Sequence, residues 1–414
     1  MILEQTDHLL LAGDLGPAAR RAMQILEKYA PVVGAKKFVS IESAHIDSCL
    51  YHGPSGLDFV NSFRNLGGQV RVPTTLNVAA IDLVHPEYSQ ASPPLCAAQE
   101  LMTRAYLELG CQATLTCAPY QRLRRPKPGQ HIAWAESNAI VFANSCLGAK
   151  TDRYGDFTDL CAALTGRVPL AGLHLEENRL ARLILDVVDL NSSGIERDLY
   201  FACLGYVLGA VAGTRVAAIR GAPLDSSEDE MKALGAAAAS SGAVAMFHLV
   251  GVTPEAATLE QATGGNPDNI EVISVDSGQL TGVLDQLCEV EPGEKVGAFC
   301  AGTPHFSYQE FERMAERVRG RKARQGVEVL VSTSREISSQ LDTAAWAENL
   351  WAFGVKIVVD TCTYLTPVAL DGDGIVVTNS AKWAHYAPGN INRRGALMSL
   401  DRCIRCAESG TIVA

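Results

Sequence analysis

The sequence predicts an α/β protein with two or more α/β/α domains and mainly parallel sheets. Short apolar strand candidates alternate with helix candidates along almost all of the 414 residues, which is the pattern of parallel sheets joined by crossover helices. In addition, polar side chains and cysteines repeatedly follow the predicted strands. Ligands of open α/β sheets bind at the carboxyl ends of strands, so these positions indicate where a functional site lies.

The elements are predicted from local periodicity. Residues 16–30 place Ala19, Met23, Leu26 and Tyr29 on roughly one helix face, and Ser307 with Glu310 forms a capping box that starts another helix. Further helices are predicted at 57–66, 94–109, 137–145 and 232–241. Strands are predicted at 37–41, 69–72, 113–117, 215–219, 244–249, 271–274, 295–298, 328–332, 355–359 and 374–378.

The strand rhythm starts again near residue 215, which predicts a domain boundary there. We expect one domain over residues 1–214, a second over 215–375, and a C-terminal strip, 376–414, that packs back on the core.

The charge and hydropathy exclude several classes of protein. The net charge is −11, and the basic clusters at 122–128 and 319–324 are short, so a nucleic-acid partner is not expected. No run approaches the ~18 apolar residues of a membrane span, and acids rather than bases flank the apolar N-terminal patch, unlike a signal peptide. The sequence predicts a soluble, cytoplasmic protein.

The twelve cysteines need an explanation, because disulfides are not expected in a reducing compartment. Cys117, Cys300 and Cys362 each follow or end a predicted strand, an arrangement that lets distant segments converge on one metal cluster. Cys403 and Cys406 form a single CxxC pair, which is more often packing than a metal site. Motifs for dinucleotides, P-loops, zinc proteases and α/β-hydrolases do not occur.

Short motifs in a fixed order give the chain a family likeness. It resembles the aconitase X family, and the resemblance spans nearly the whole chain. The motifs are SAHI at 43–46, TTLN at 74–77, TCAPY at 116–120, ESN at 136–138 with NS at 144–145, GTPH at 302–305, DTC at 360–362 and NSAK at 379–382.

The resemblance implies an aconitase-like fold around a central iron–sulfur cluster, either [2Fe-2S] or [3Fe-4S]/[4Fe-4S], in a dehydratase. Cys117 and Cys362 match the family's cluster cysteines. The third ligand is left open, because Thr303 stands where some members have cysteine and Cys300 lies three residues before it. The chain resembles the large, catalytic subunit, whose small partner would carry the general-base serine.

The resemblance also implies the site residues. The candidate catalytic residues are His45, Asp47, Glu136, His305 and Lys382. The candidate substrate-binding residues are Ser43, Ser48, Cys49, Leu50, Asn77, Val78, Ser137, Asn138 and Ser145. Structural roles remain open for several of them: the two histidines could bridge loop backbones, Glu136 could cap a helix, Asn77 could satisfy a turn, and Lys382 could be a surface lysine.

The substrate argument rests on Asp47 and Glu136, and it leaves open which of the two carboxylates pairs with the substrate. No Lys or Arg lies between Glu42 and Arg64, so the loop suits a cationic ring nitrogen better than a phosphate. Of the two reactions that the resemblance implies, this charge favours the dehydration of cis-3-hydroxy-L-proline to Δ1-pyrroline-2-carboxylate. The alternatives are a mevalonate 5-phosphate dehydratase large subunit, or a cluster-less RNA-binding or scaffold subunit.

Overall fold

The computed structural model describes residues 1–122, 124–188, 194–366 and 374–413. These residues form two compact units, each assembled from separate stretches of chain. The first unit contains 1–80, 92–180 and 253–255, and the second contains 81–91, 181–252 and 256–414. The domain boundary expected near residue 215 stays a prediction.

The first unit has a three-stranded parallel sheet in the order β3-β2-β4 and an antiparallel β1-β5 pair. Its elements are α1 (Gln5–Ala12), α2 (Pro17–Tyr29), β1 (Phe38–Ser40), β2 (Ala44–Ile46), α3 (Pro54–Arg64), β3 (Thr74–Leu76), α4 (Pro93–Glu108), β4 (Ala133–Trp134), α5 (Ser137–Ser145), α6 (Thr158–Thr165) and β5 (Arg167–Pro169). The strands of the parallel sheet are short and fully buried. Their carboxyl ends therefore open directly into the loops that carry the site.

The second unit has two parallel sheets, in the orders β8-β7-β6-β9 and β12-β11-β10-β13-β14. The elements of the first of these sheets are β6 (Leu183–Val187), α7 (Arg197–Ala212), β7 (Ala217–Arg220), α8 (Glu228–Ser241), β8 (Phe247–Leu249), α9 (Leu259–Thr263), β9 (Val272–Val275) and α10 (Ser277–Leu287). Those of the second are β10 (Val296–Ala301), α11 (Tyr308–Arg317), β11 (Glu328–Ser332), α12 (Arg335–Leu341), α13 (Glu348–Phe353), β12 (Val355–Val358), β13 (Ile375–Thr378), α14 (Ala381–Ile391), β14 (Gly395–Leu397) and α15 (Leu400–Ser409).

Burial follows the expected periodicity. Ala19, Met23 and Leu26 lie on the buried face of α2 as predicted, whereas Tyr29 is only partly buried. All six residues of the central strand β10 are buried, as expected for a strand covered on both faces. The capping box of Ser307 and Glu310 at the start of α11 is confirmed. The α/β class with parallel sheets is therefore confirmed.

Three predictions at the sheet of the first unit were wrong. The predicted strand at 69–72 is irregular, and β2 and β3 lie in segments that were predicted as loops because they are rich in polar residues. Residues 113–117 do not form a strand either. Leu115 has φ +42°, a left-handed conformation that interrupts a β-ladder and is rare for a bulky side chain.

Strand β6 and the long apolar helix α7 were not predicted either.

In the described part of the chain, no helix has the length and apolar character that crossing a membrane requires.

Candidate active site

Asp47 and Asn77 follow β2 and β3, which are the central strand and the neighbouring edge strand of the first unit's parallel sheet. The side-chain amide of Asn77 donates a hydrogen bond to the Asp47 carboxyl group. Asn77 is buried, and its Oδ1 has no hydrogen-bond partner among the described residues. A buried polar atom without a partner is costly, so this oxygen is well suited to accept a hydrogen bond from a ligand. The two residues thus form a polar pair at the carboxyl edge, where the sequence placed the site.

Asp47 lies among other acids. Burial raises the pKa of its carboxyl group to about 7, and the negative charge of Glu136 acts in the same direction. The carboxylates of Asp156 and Asp159 raise the pKa further, whereas the hydrogen bond from Asn77 lowers it. A carboxyl group with this pKa changes its charge near neutral pH, a property frequent at functional sites.

His45 lies on β2, two residues before Asp47, and is fully buried. Its Nδ1 shares a hydrogen bond of 2.8 Å with Thr75 Oγ1. Burial lowers the pKa of the imidazole to about 4, against the opposing effects of Glu136 and the Thr116 backbone. The ring is therefore neutral at physiological pH, a form that can donate through one nitrogen and accept through the other.

Glu136 and Asn138 at the start of α5 organise their own surroundings. Glu136 caps the helix, because its carboxylate accepts the backbone N–H of Ala139 at 2.7 Å and the hydroxyl of Ser137 at 3.1 Å. The capping role left open by the sequence is thus present. Asn138 is buried and donates to the carbonyl oxygen of Cys117 at 2.9 Å. It therefore holds the backbone of the first candidate cluster cysteine.

Ser48 and Cys49 direct their side chains into the fold. The Ser48 hydroxyl hydrogen-bonds to Asp159 and to Tyr106. The Cys49 thiol donates to backbone carbonyl groups, those of Ile46 and Asn77 at 3.4 and 3.2 Å. Asp47 and Leu50, on either side of them, are partly exposed.

The remaining substrate-binding candidates in this unit are Ser43, Val78, Ser137 and Ser145. Ser43, Val78 and Ser145 are buried, and the Ser43 hydroxyl accepts a long hydrogen bond of 3.4 Å from the Trp134 indole. Ser137 begins α5 and donates to Glu136. Contact of these residues with a substrate stays a prediction.

Gln99 of α4 is a site residue that the sequence analysis missed. Its Oε1 accepts the backbone N–H groups of Tyr51 and Ala80, each at 2.9 Å, and its Nε2 donates to the carbonyl of Cys49 at 3.0 Å. One fully buried amide therefore ties together the loops after β2 and β3. The sequence contained one signal for this role: Gln99 is polar but lies on the same face of the helix predicted at 94–109 as Met102 and Tyr106.

We expect Gln99→Leu to destabilise the protein by about 2–4 kcal/mol, because it removes the hydrogen bonds of Gln99 to three backbone groups, two of them in buried contacts. Urea unfolding of the purified chain measures this loss. Gln69→Leu is the matched control, since its amide donates only one exposed hydrogen bond, to the Glu108 carbonyl, and should change stability by less than about 0.5 kcal/mol. Equal losses in the two variants would contradict the bridging role.

In the second unit, His305 and Cys362 form a candidate metal centre. The Cys362 sulfur and a ring nitrogen of His305 lie within 4.8 Å of each other, and both residues are buried. The Nε2 of His305 donates to the Thr361 carbonyl at 3.2 Å. Because a carbonyl oxygen only accepts, this bond places the lone pair of the neutral ring on Nδ1, and fixing the tautomer in this way is typical of metal-ligating histidines.

The surroundings of this pair fit an iron centre. Thiolate and imidazole are both ligands that iron accepts, and the buried hydroxyls of Thr303 and Thr361 have no hydrogen-bond partner among the described residues. Such hydroxyls would be able to donate hydrogen bonds to the sulfur atoms of an iron centre held here. Cys300 lies in β10, where burial raises the pKa of its thiol to about 12 and the Thr363 side chain hydrogen-bonds to it. Its role as a ligand stays a prediction.

Two polar contacts hold the loops of this centre. Ser380, the N-cap of α14, donates to the Thr303 carbonyl and accepts the N–H of Trp383. Arg335 donates two hydrogen bonds, of 2.6 and 2.5 Å, to the buried carboxylate of Asp360. Asp360 has φ +64° and lies two residues before Cys362, so this ion pair stabilises an unfavourable backbone conformation next to the candidate ligand.

Lys382 lies in the first turn of α14 and is buried. It lines a cleft with Thr303 and with the buried ion pair of Lys232 and Glu310. It is therefore not an ordinary surface lysine. Contact with a substrate carboxylate stays a prediction.

Comparison with known protein families identifies three matching regions that together cover nearly the whole chain. Residues 1–177 match the aconitase X first domain, residues 181–285 the second domain, and residues 296–409 the third domain. The crystal structure of Thermococcus kodakaraensis aconitase X (holo-form) superposes with a TM-score of 0.87 at 30% identity, covering 98% of this chain and 100% of that one.

Curated relatives carry the names of two dehydratases. Cis-3-hydroxy-L-proline dehydratases of Hypocrea jecorina and Pseudomonas aeruginosa are 42% and 40% identical, over 99% of this chain and 69% and 70% of theirs. The phosphomevalonate dehydratase large subunit of Methanothermobacter thermautotrophicus is 35% identical over 94% of both chains. These names confirm the dehydratase (hydro-lyase) class. From the matched domains, the structural similarity and these identities, we conclude that the chain belongs to the aconitase X family.

Proposed function

We propose that this chain is the large, catalytic subunit of an iron–sulfur dehydratase that converts cis-3-hydroxy-L-proline to Δ1-pyrroline-2-carboxylate. The observation that carries the choice of substrate is the acidic surrounding of Asp47. Glu136, Asp156 and Asp159 all act on its carboxyl group, so the potential there favours a cationic ring nitrogen and disfavours a phosphate dianion. The higher identity to the hydroxyproline dehydratases supports the same choice.

In the proposed reaction a base removes the proton at C2, the hydroxyl group leaves C3 as water, and the resulting enamine tautomerises to the imine. When bound, the iron centre would supply Lewis-acid assistance to the departing hydroxyl group. We propose Cys117 and Cys362 as ligands, with His305 or Cys300 as the third. The proposal is an iron centre with sulfur ligands, and it does not specify the type of cluster.

The chain's own residues would bind and orient the substrate. Ionised Asp47 pairs with the ring ammonium, and the unpartnered Oδ1 of Asn77 accepts a further hydrogen bond from it. The neutral imidazole of His45 behind them adds no positive charge that would compete with the substrate cation.

We further propose that a small subunit supplies the general-base serine. The relatives named as large subunits support a two-subunit assembly. Residues that could serve as a base within this chain would then have binding or positioning roles.

The test is anaerobic co-expression of this chain with its candidate small subunit, followed by iron and sulfide analysis, an absorption spectrum and assays with both substrates. We expect sulfur-to-iron absorption bands and turnover of cis-3-hydroxy-L-proline only. Turnover of mevalonate 5-phosphate alone would overturn the substrate assignment and leave the dehydratase class intact. An assembled, active but iron-free enzyme would overturn the proposed metal chemistry.

A further inference from the structure

Asp159, in the first turn of α6, is fully buried, although no part of the proposed reaction uses it. Its Oδ2 accepts the backbone N–H groups of Asp47 at 2.8 Å and of Ser48 at 3.0 Å. Its Oδ1 accepts the Ser48 hydroxyl at 2.9 Å and the N–H of Leu160 at 2.6 Å. One carboxylate therefore binds three donors of a loop that lies 111 and 112 residues away in sequence.

Tyr106 of α4 holds the same loop from another direction. Its hydroxyl donates to the Ser48 carbonyl at 3.1 Å and lies 2.8 Å from the Ser48 hydroxyl. Both Tyr106 and Asp159 are buried, so water cannot replace these hydrogen bonds without opening the fold. The turn after β2 is thus fixed by side chains from two different helices.

We propose that Asp159 is a positioning residue of the active site: its carboxylate fixes the backbone of Asp47 and Ser48 and thereby places the Asp47 carboxyl group against Asn77. The inference rests on the proposed function, because it takes Asp47 as the group that pairs with the substrate cation. Asp159 itself does not touch the substrate, because its oxygens are occupied by the loop.

The charge of Asp159 has a second effect on the same group. Asp47 faces Glu136 at the start of α5, Asp156 in the turn before α6, Asp159 on α6, and the amide of Asn77 after β3. Within its own loop, the thiol of Cys49 interacts electrostatically with it and stays protonated, because burial and the nearby acids raise its pKa. Removing the negative charge of Asp159 should therefore lower the pKa of Asp47.

Position and charge can be separated with three variants of the assembled two-subunit enzyme. Asp159→Ala removes both. Asp159→Asn removes the charge but keeps an amide oxygen for the two N–H groups and an amide nitrogen for the Ser48 hydroxyl; it loses the bond from the N–H of Leu160, which belongs to α6 and not to the loop. Asp156→Asn is the matched control, because this exposed residue also raises the pKa of Asp47, and none of the three Asp159–loop bonds involves it.

We expect Asp159→Ala to lower the pH-independent kcat/KM by about 10- to 100-fold, chiefly through KM, since a small misplacement of a binding group is costly. Asp159→Asn and Asp156→Asn should keep this value within about threefold of the wild type and shift the acidic limb of the pH profile to lower pH. A pH-independent kcat/KM for Asp159→Ala equal to that of Asp156→Asn would overturn the inference.

Hydrogen–deuterium exchange of the full chain gives a readout that does not depend on the substrate. The amides of Asp47 and Ser48 should exchange faster in Asp159→Ala than in Asp156→Asn, and unchanged protection would also overturn the inference. Failure of the wild-type enzyme to dehydrate hydroxyproline would instead overturn the proposed function, so the two failures are distinguishable.

Discussion

Cys362→Ser is expected to remove the iron from the assembled enzyme and to lower kcat by at least about 10³-fold. Lewis-acid assistance to a leaving group contributes several kcal/mol, and each 1.36 kcal/mol is a factor of ten in rate. Cys362 is a candidate ligand because its sulfur lies within 4.8 Å of a ring nitrogen of His305 in a buried site. The serine hydroxyl that replaces the thiolate in the variant would be a much poorer iron ligand. Iron analysis and the visible spectrum measure the loss independently of activity.

The control for this variant is Cys203→Ser, which changes an equally buried thiol on α7 and should retain both iron and colour. His305→Gln and Cys300→Ser then test the third ligand. From the geometry we expect the larger iron loss in His305→Gln. Full iron content in Cys362→Ser would exclude a metal centre at this loop.

Asp47→Asn is expected to lower kcat/KM for cis-3-hydroxy-L-proline by about 10²- to 10³-fold. Leaving one member of a buried charge pair without its partner costs roughly 2–5 kcal/mol, and here the substrate cation would lose its counter-charge. The acidic limb of the wild-type pH profile, which we expect near pH 7 from the pKa of Asp47, should also disappear. Steady-state kinetics between pH 5 and 9 measure both effects.

The same variant has an expected effect of opposite sign on stability. The pKa of Asp47 is higher in the folded protein than in the unfolded chain, so the folded state binds more protons between about pH 4 and pH 7 and stability falls as the pH rises through this window. Asp47→Asn should therefore unfold at a higher temperature than the wild type at pH 8 and show little difference at pH 4.

The control is Glu42→Gln, which removes an exposed carboxylate at the other end of β2 and should leave both the kinetics and the melting temperature almost unchanged. If Asp47→Asn and Glu42→Gln behaved alike, Asp47 would have no role in substrate binding. If Asp47→Asn lost activity towards hydroxyproline but was destabilised at pH 8, the electrostatic argument for its pKa would be wrong.

The fold class could be predicted from the sequence and is confirmed by the structure, whereas the functional site that the sequence predicts at the carboxyl ends of the strands stays a prediction. Strands such as β10 and β11 are predictable because a strand covered on both faces is a short, continuous apolar run, and Cys362 became a candidate ligand because it follows the strand predicted at 355–359. Asp47 and Asn77 follow β2 and β3, which were not predicted as strands, and they became candidates through the family resemblance and the polar character of their segments. The family motifs indicated the chemistry, because they single out particular polar residues and cysteines. Local periodicity alone does not distinguish such residues from residues that only contribute to packing. Short strands with polar residues, such as β2, were missed because three residues carry too little periodic signal.

The distant side chains that hold these residues in place are visible only in the folded structure. The hydrogen bonds of Asp159 join segments that are 111 or 112 residues apart, and those of Gln99 join segments 19 to 50 residues apart. The proximity of His305 to Cys362 depends on the pairing of β10 with β11 and of β11 with β12. Local sequence determines which face of an element is buried. The side chain that meets a given loop depends on how helices cross the sheet, which is set by packing over the whole unit.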